Sequence, residues 1–239
     1  MNKKATKSKY KKSVDLTLPD SDILNIESLS KILNRTTNSY KFIFFISILD
    51  IIKERNFEYA GQVSFFDLTV HMLVKAWTPY KEFNLSFGSQ DTITSKIDDL
   101  DLKLPIDWKK DDKETLRRAI ASVDLKNAER LMDFVPYRLI SPFLEEELAG
   151  VDKGEWLTLE LSLPAIANKT FLVKKPIYRF DSDDYKECSA IIIHPEWVEY
   201  FKANFAAVYD WALSRWIEYM EKRNTGISGI AEILTGVQR

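Results

Sequence analysis

Between Phe42 and Ile52 the chain reads Phe-Ile-Phe-Phe-Ile-Ser-Ile-Leu-Asp-Ile-Ile, and only Ser47 and Asp50 are polar. A run this apolar on every side, if helical, has to be enclosed by other elements. Asn38 or Ser39 supplies an N-cap oxygen for the free N–H groups of its first turn. Lys53 and Arg55 complement the negative end of the helix dipole. The run is about half of the ~20 residues that span a bilayer, so it reads as a central core helix rather than a membrane anchor.

The other helices are expected around it. Leu29, Ile32 and Leu33 place a short helix over 28–33. Phe65, Leu68, Met72 and Ala76 recur at helical spacing, with Ser64 as N-cap, and Trp77-Thr-Pro79 is expected to end that helix. Further helices are expected over 90–100, over 113–123 with Leu116, Ile120 and Val123 inward, from Asp124 to Phe134 with Pro136 as terminator, and from Pro142 to Leu148. The longest runs from Pro195 to Arg223, roughly 43 Å at 1.5 Å per residue. Pro195 suits its first turn, Trp197, Phe201, Phe205, Val208, Ala212, Trp216 and Tyr219 trace its apolar stripe, and Glu218 faces Lys222 at i,i+4. Ile230–Leu234 begins one more helix, and the sequence then stops in mid-element, as a chain cut short would.

Gly150 to Gly154 is the best internal boundary. Beyond it, Trp156 to Leu163 alternates as Trp-Leu-Thr-Leu-Glu-Leu-Ser-Leu, the period of a strand. Ile177–Phe180 and Ser189–Ile193 are shorter strand candidates on either side of a polar loop, a hairpin signal. The expected fold is mainly α, a multi-helix orthogonal assembly with a small β-hairpin in the C-terminal half. Residues 1–12 read as a basic disordered tail, 13–150 as a helical core region, and 151–239 as a small β element plus the long C-terminal helix, packed with 13–150 as one domain.

Charge narrows the function classes. The formal charge is −2 over 239 residues, yet Lys3, Lys4, Lys7, Lys9, Lys11 and Lys12 alone contribute +6, so the rest of the chain carries −8. An acidic body argues against nucleic-acid binding over its whole surface. Contact with DNA therefore needs the tail or a local basic face. One cysteine, Cys188, permits neither an intramolecular disulfide nor a cysteine zinc site, and fits a reducing, cytoplasmic setting. There is no secretory signal and no membrane-length segment, so no membrane partner is expected.

Catalytic patterns are scarce. No phosphate-binding glycine loop, dinucleotide fingerprint or zinc-protease pattern occurs. His71 lies among apolar residues and reads as packed, and His194, before Pro195, reads as a cap. Asp107-Trp-Lys109 has the acid-x-lysine spacing of some metal-dependent nucleases, but it follows a proline linker rather than a core strand and has no convincing upstream acid. The acidic runs at 98–101, 145–147 and 181–184 read as solvated loops or faces. No metal or other cofactor is expected in this chain, and no catalytic residue is assigned.

Several stretches taken together resemble the helical region that precedes the nuclease domain in bacterial HNH-endonuclease-domain proteins. They are Asn38-Ser-Tyr-Lys-Phe42, Met72-Leu-Val-Lys-Ala-Trp-Thr-Pro79, Leu85-Ser-Phe-Gly88, Val135-Pro-Tyr-Arg-Leu139 with Pro142-Phe143, Ile177-Tyr-Arg-Phe180 and Tyr219-Met-Glu-Lys-Arg-Asn224. The resemblance implies a bacterial defence or mobile-element setting, double-stranded DNA as eventual substrate, and a downstream nuclease domain or protein partner that would hold the divalent metal. It implies an accessory, DNA-associated role for this chain. Within these stretches Lys41, Tyr137, Arg138 and Arg179 are candidate DNA contacts, as are the six tail lysines. A competing reading makes Tyr40 and Tyr137 core residues bonded inside and pairs Lys41 and Arg138 with neighbouring acids. The alternative function is a protein-interaction or oligomerisation module without DNA contact.

Overall fold

The computed structural model describes residues 16–34, 36–58, 61–109, 112–149 and 156–236; the side chains of 156–159 are left aside. The basic tail and the boundary expected at Gly150 to Gly154 lie outside the described residues.

In chain order the elements are α1 (Ile26–Lys31), α2 (Tyr40–Glu54), β1 (Gln62–Ser64), α3 (Phe65–Trp77), α4 (Ile93–Asp98), α5 (Lys113–Ala121), α6 (Lys126–Glu129), α7 (Val135–Ile140), α8 (Trp156–Lys174), β2 (Tyr178–Phe180), β3 (Ala190–Ile193), α9 (Pro195–Arg223) and α10 (Ile230–Thr235). The fold is mainly α with a small antiparallel sheet, two of whose three strands lie in the C-terminal half.

Helix α2 is the centre. Phe42 to Leu49, Ile51 and Ile52 are all buried, and removing each large side chain from water contributes about 1.5–3 kcal/mol. Against α2 lie α9, α3 and α7. Phe45 meets Phe201 and Trp211 edge-on at 6.0 and 6.1 Å, the geometry aromatic quadrupoles favour. Its start is capped from a distance. The Ser39 side chain makes no cap bond; instead the buried Asp91 carboxylate accepts from Ser39 N at 2.6 Å and from Ile93 N at 3.0 Å.

Local signals placed α3 and α9 well. Ser64 accepts from Asp67 N at 3.0 Å, and His194 Nδ1 accepts from Glu196 N at 3.2 Å with Pro195 opening α9. Helix α9 is kinked at Asn204 (φ −121°, ψ 22°). The Asn204 amide donates to Tyr200 O at 3.1 Å, which satisfies a carbonyl on the preceding turn. Glu218 lies 3.9 Å from Arg215 instead of pairing with Lys222. At Gly88, where φ is +104°, a Cβ would come within 3.0 Å of the Tyr219 hydroxyl, which donates to Phe87 O at 2.7 Å; glycine alone fits.

Prolines behave differently from expectation. Thr78-Pro79 does not stop the helix: the chain continues as a π-helical turn over Thr78–Glu82. Pro136 opens α7 in its first turn, where a missing N–H costs nothing. Pro142 begins only a 3-10 turn, Ser141–Phe143.

The strand expected over 156–163 is a correction: these residues open α8. Leucines at every second position fit a strand, but Glu160, Leu163, Ala167 and Phe171 face inward at spacings of three and four, and no glycine interrupts the run to Lys174. The helical period therefore extends over more residues than the alternation. The hairpin is present as β2 and β3, with Phe180 opposite Ile191. Strand β1, which sequence periodicity is too short to reveal, completes the sheet from the first half of the chain in the order β1-β3-β2, with Val63 opposite Ile191.

Candidate nucleic-acid interface

The four candidates in the body divide into two that converge and two that are used internally. Tyr137 is buried. Its ring stacks on Phe180 at 4.7 Å and 11°, and meets Tyr185 at 4.5 Å. Burial first, and then the neighbouring Cys188 thiol, push its phenol well above the usual range. This is the core role of the competing reading. Arg179, between the buried Tyr178 and Phe180 of β2, donates to Phe180 O at 3.1 Å and lies 5.5 Å over the Phe171 ring. Tyr40 is likewise bonded internally, its hydroxyl accepting from Thr92 N at 2.6 Å.

Lys41 and Arg138 come together where α2 packs on α7. Arg138 donates through Nε to Glu160, whose side chain is only 3% exposed, and its guanidinium lies 4.8 Å over the half-exposed Phe134 ring. The pairing expected by the competing reading thus holds for Arg138. Among the described residues no carboxylate pairs with Lys41, and burial, followed by repulsion from Arg138, pushes its ammonium down to about 8. Tyr185 borders the same patch. Burial, then Asp133 and Glu160, raise it to about 12, while Arg138 opposes them. Sequence reasoning missed Glu160 and Phe134: Glu160 because its segment read as a strand, Phe134 because an exposed aromatic at the end of a 3-10 turn carries no periodic signal.

A second charged cluster joins α2, α3 and α5. Lys75 Nζ lies 2.7 Å from Asp50, with the Tyr209 hydroxyl at 3.4 Å. Burial alone would lower the Lys75 ammonium, but Asp50 and Tyr209 outweigh it and raise it. Arg117 bridges Glu54 and Glu114 at 2.8 and 2.5 Å. His71 lies 3.7 Å from Glu54, and burial lowers its pKa, favouring the neutral ring. Lys75 and Arg117 each have an acid partner and clamp the helices together, whereas Lys113 of α5 has no ion pair among the described residues, and burial, followed by repulsion from Lys75, lowers the pKa of its ammonium.

The remaining candidates stay apart. Asp107 is exposed on a loop. Asp98 accepts from Tyr80 and Lys81, both at 2.5 Å. Asp181 accepts from Ser189 N and Ala190 N and ties off the hairpin. Cys188 is raised to about 11 by burial. A groove of 450 Å³ between residues 21–24 and the first half of α9 is rimmed by Glu196 and Glu199, the wrong sign for a phosphate. Among the described residues no group of three His, Cys, Asp or Glu side chains is arranged to hold a metal ion, and no helix is long and apolar enough to cross a membrane.

Comparison with protein-family profiles, with characterised proteins and with solved structures gives no match for this chain.

Proposed function

We propose that this chain is an accessory, DNA-associated region of an HNH-type nuclease in a bacterial defence or mobile-element setting, and that it does no chemistry itself. The observation that carries the reading is Lys41 beside Arg138 with no acid partner among the described residues. With Glu160 paired to Arg138 and no described acid paired to Lys41, one charge is left that an anion from outside the chain would satisfy, and DNA is a regular array of such anions. Contacts of this kind position a duplex without reading its sequence. The six tail lysines add a second, nonspecific source of affinity.

The test is a salt titration of duplex binding by fluorescence anisotropy. Lys41→Met is expected to weaken binding and to reduce the slope of log K against log salt by about 1. Deleting residues 1–12 should lower the slope further and independently. Binding that is insensitive to salt, or none in the intact chain, refutes the proposal.

A second reading, a protein-interaction module, draws on α8. Its outer face carries Leu161, Leu172 and Val173, exposed by 42, 79 and 81%, and exposed apolar patches commonly mark contact surfaces. Light scattering that changes in Leu172→Asp while DNA binding is absent would favour it.

A further inference from the structure

Lys41 sits where a folded chain least favours a bare ammonium. It lies in the first turn of α2, whose dipole repels cations. It is largely withdrawn from water, the charge that acts on it most is another cation, and no described acid answers it. A group this poorly served in the empty protein is well served by an anion, which would relieve all three effects together.

The charge balance says which anion. Arg138 and Glu160 form one compensated pair, with Arg138 using Nε on Glu160 and leaving its Nη groups without an acceptor among the described residues. Lys41 then leaves a net charge of +1 over the three side chains. We infer that Lys41 and Arg138 together hold one internal phosphodiester of a DNA strand, a monoanion, in preference to a terminal or free phosphate dianion. One non-bridging oxygen accepts from Lys41 Nζ and the other from an Arg138 Nη, the fork geometry suited to phosphate. The exposed Phe134 ring beside Arg138 gives the neighbouring nucleotide an apolar surface. This deepens the DNA-associated reading and rests on it.

Occupancy can be read on the amine itself. At pH 7.4 a lysine titrating about 8 is roughly one-fifth neutral and reactive, whereas an ordinary lysine is about 0.1% neutral. A bound phosphodiester restores the charge, and each unit of recovered pKa cuts the neutral fraction about tenfold. The full chain is treated with limiting acetic anhydride, and acylation of Lys41 is quantified by mass spectrometry against the exposed Lys169. The arms are a 12-base-pair duplex with 5′-hydroxyl ends, inorganic phosphate, and chloride at matched ionic strength.

The duplex is expected to suppress Lys41 acylation about tenfold while Lys169 is unchanged, and phosphate at equal concentration to suppress it much less. Glu160→Gln, which raises the local charge to +2 and keeps an acceptor for Arg138, should shift the preference toward inorganic phosphate. If a mobility shift reports saturated DNA binding while Lys41 stays reactive, this site is wrong and the DNA-associated reading stands. If phosphate and duplex protect Lys41 equally, the phosphodiester preference is wrong. If nothing binds and nothing protects, both fall.

Discussion

Replacing Lys41 by Met should make the protein more stable and its DNA contact weaker. The thioether keeps the apolar stem of the lysine and removes an ammonium that burial and Arg138 hold down to about 8. Depression from the ordinary lysine value corresponds to about 3 kcal/mol against the charged form; discounted for partial solvent access, about 1–3 kcal/mol is expected. In a chain of this size that is a rise of about 2–10 °C in melting temperature. The sign with pH follows from linkage. The folded pKa lies below the unfolded one, so at pH 7 both states hold the proton and the folded state bears the full penalty. Between pH 8 and about 10.5 the unfolded chain binds a proton that the folded chain has lost, and wild-type stability rises with pH relative to the variant. The gap between Lys41→Met and wild type is therefore largest at pH 7 and shrinks toward pH 10. The assay is thermal unfolding of both proteins by circular dichroism at pH 7 and pH 10. A variant less stable than wild type at pH 7, or a gap that does not shrink, refutes the argument that Lys41 is an unsatisfied charge.

Phe45→Asp places a charge in a fully buried site between Phe201 and Trp211 and should cost several kcal/mol; an unchanged unfolding midpoint would remove α2 from the core. Lys75→Met takes the ammonium from the Asp50 carboxylate but leaves it the Tyr209 hydroxyl and the nearby Lys113, and should cost about 1–3 kcal/mol, most of it recovered in Asp50→Leu/Lys75→Met; equal losses in the single and double variants in a urea titration would show that the pair is uncoupled. Leu172→Asp and Val173→Asp should shift the unfolding midpoint by less than about 0.5 kcal/mol because both side chains face water, and a larger loss would mean that face is covered in solution. Incubated with plasmid in Mg²⁺, Mn²⁺, Ni²⁺ or Zn²⁺, the chain alone should leave DNA intact, and nicking that disappears in Asp107→Ala or His194→Ala would overturn the accessory reading.

Local chemistry was enough to find α2, α3 and α9. A run apolar on all sides admits only enclosure, Ser64 and His194 sit one residue before their helices with cap atoms in reach, and the apolar stripe from Trp197 to Tyr219 follows one period over many turns. The hairpin was legible too, because two β-rich segments flank a polar loop. Tertiary structure decided the rest. Alternating leucines over 156–163 satisfy a strand, whereas on a helix they fall on opposite faces, Leu163 buried and Leu161 exposed; the residues that follow them, with the core that receives Leu163, Ala167 and Phe171, choose the helix. Strand β1 exists because β3 offers it hydrogen bonds. The candidate site is the clearest case. Lys41 and Arg138 lie 97 positions apart, and sequence marks each only as a basic residue beside an aromatic. The packing of α7 on α2 and α8 gives the acid Glu160 to Arg138 and, among the described residues, none to Lys41. Whether a charge is answered depends on which elements pack beside it, and local spacing carries no record of that.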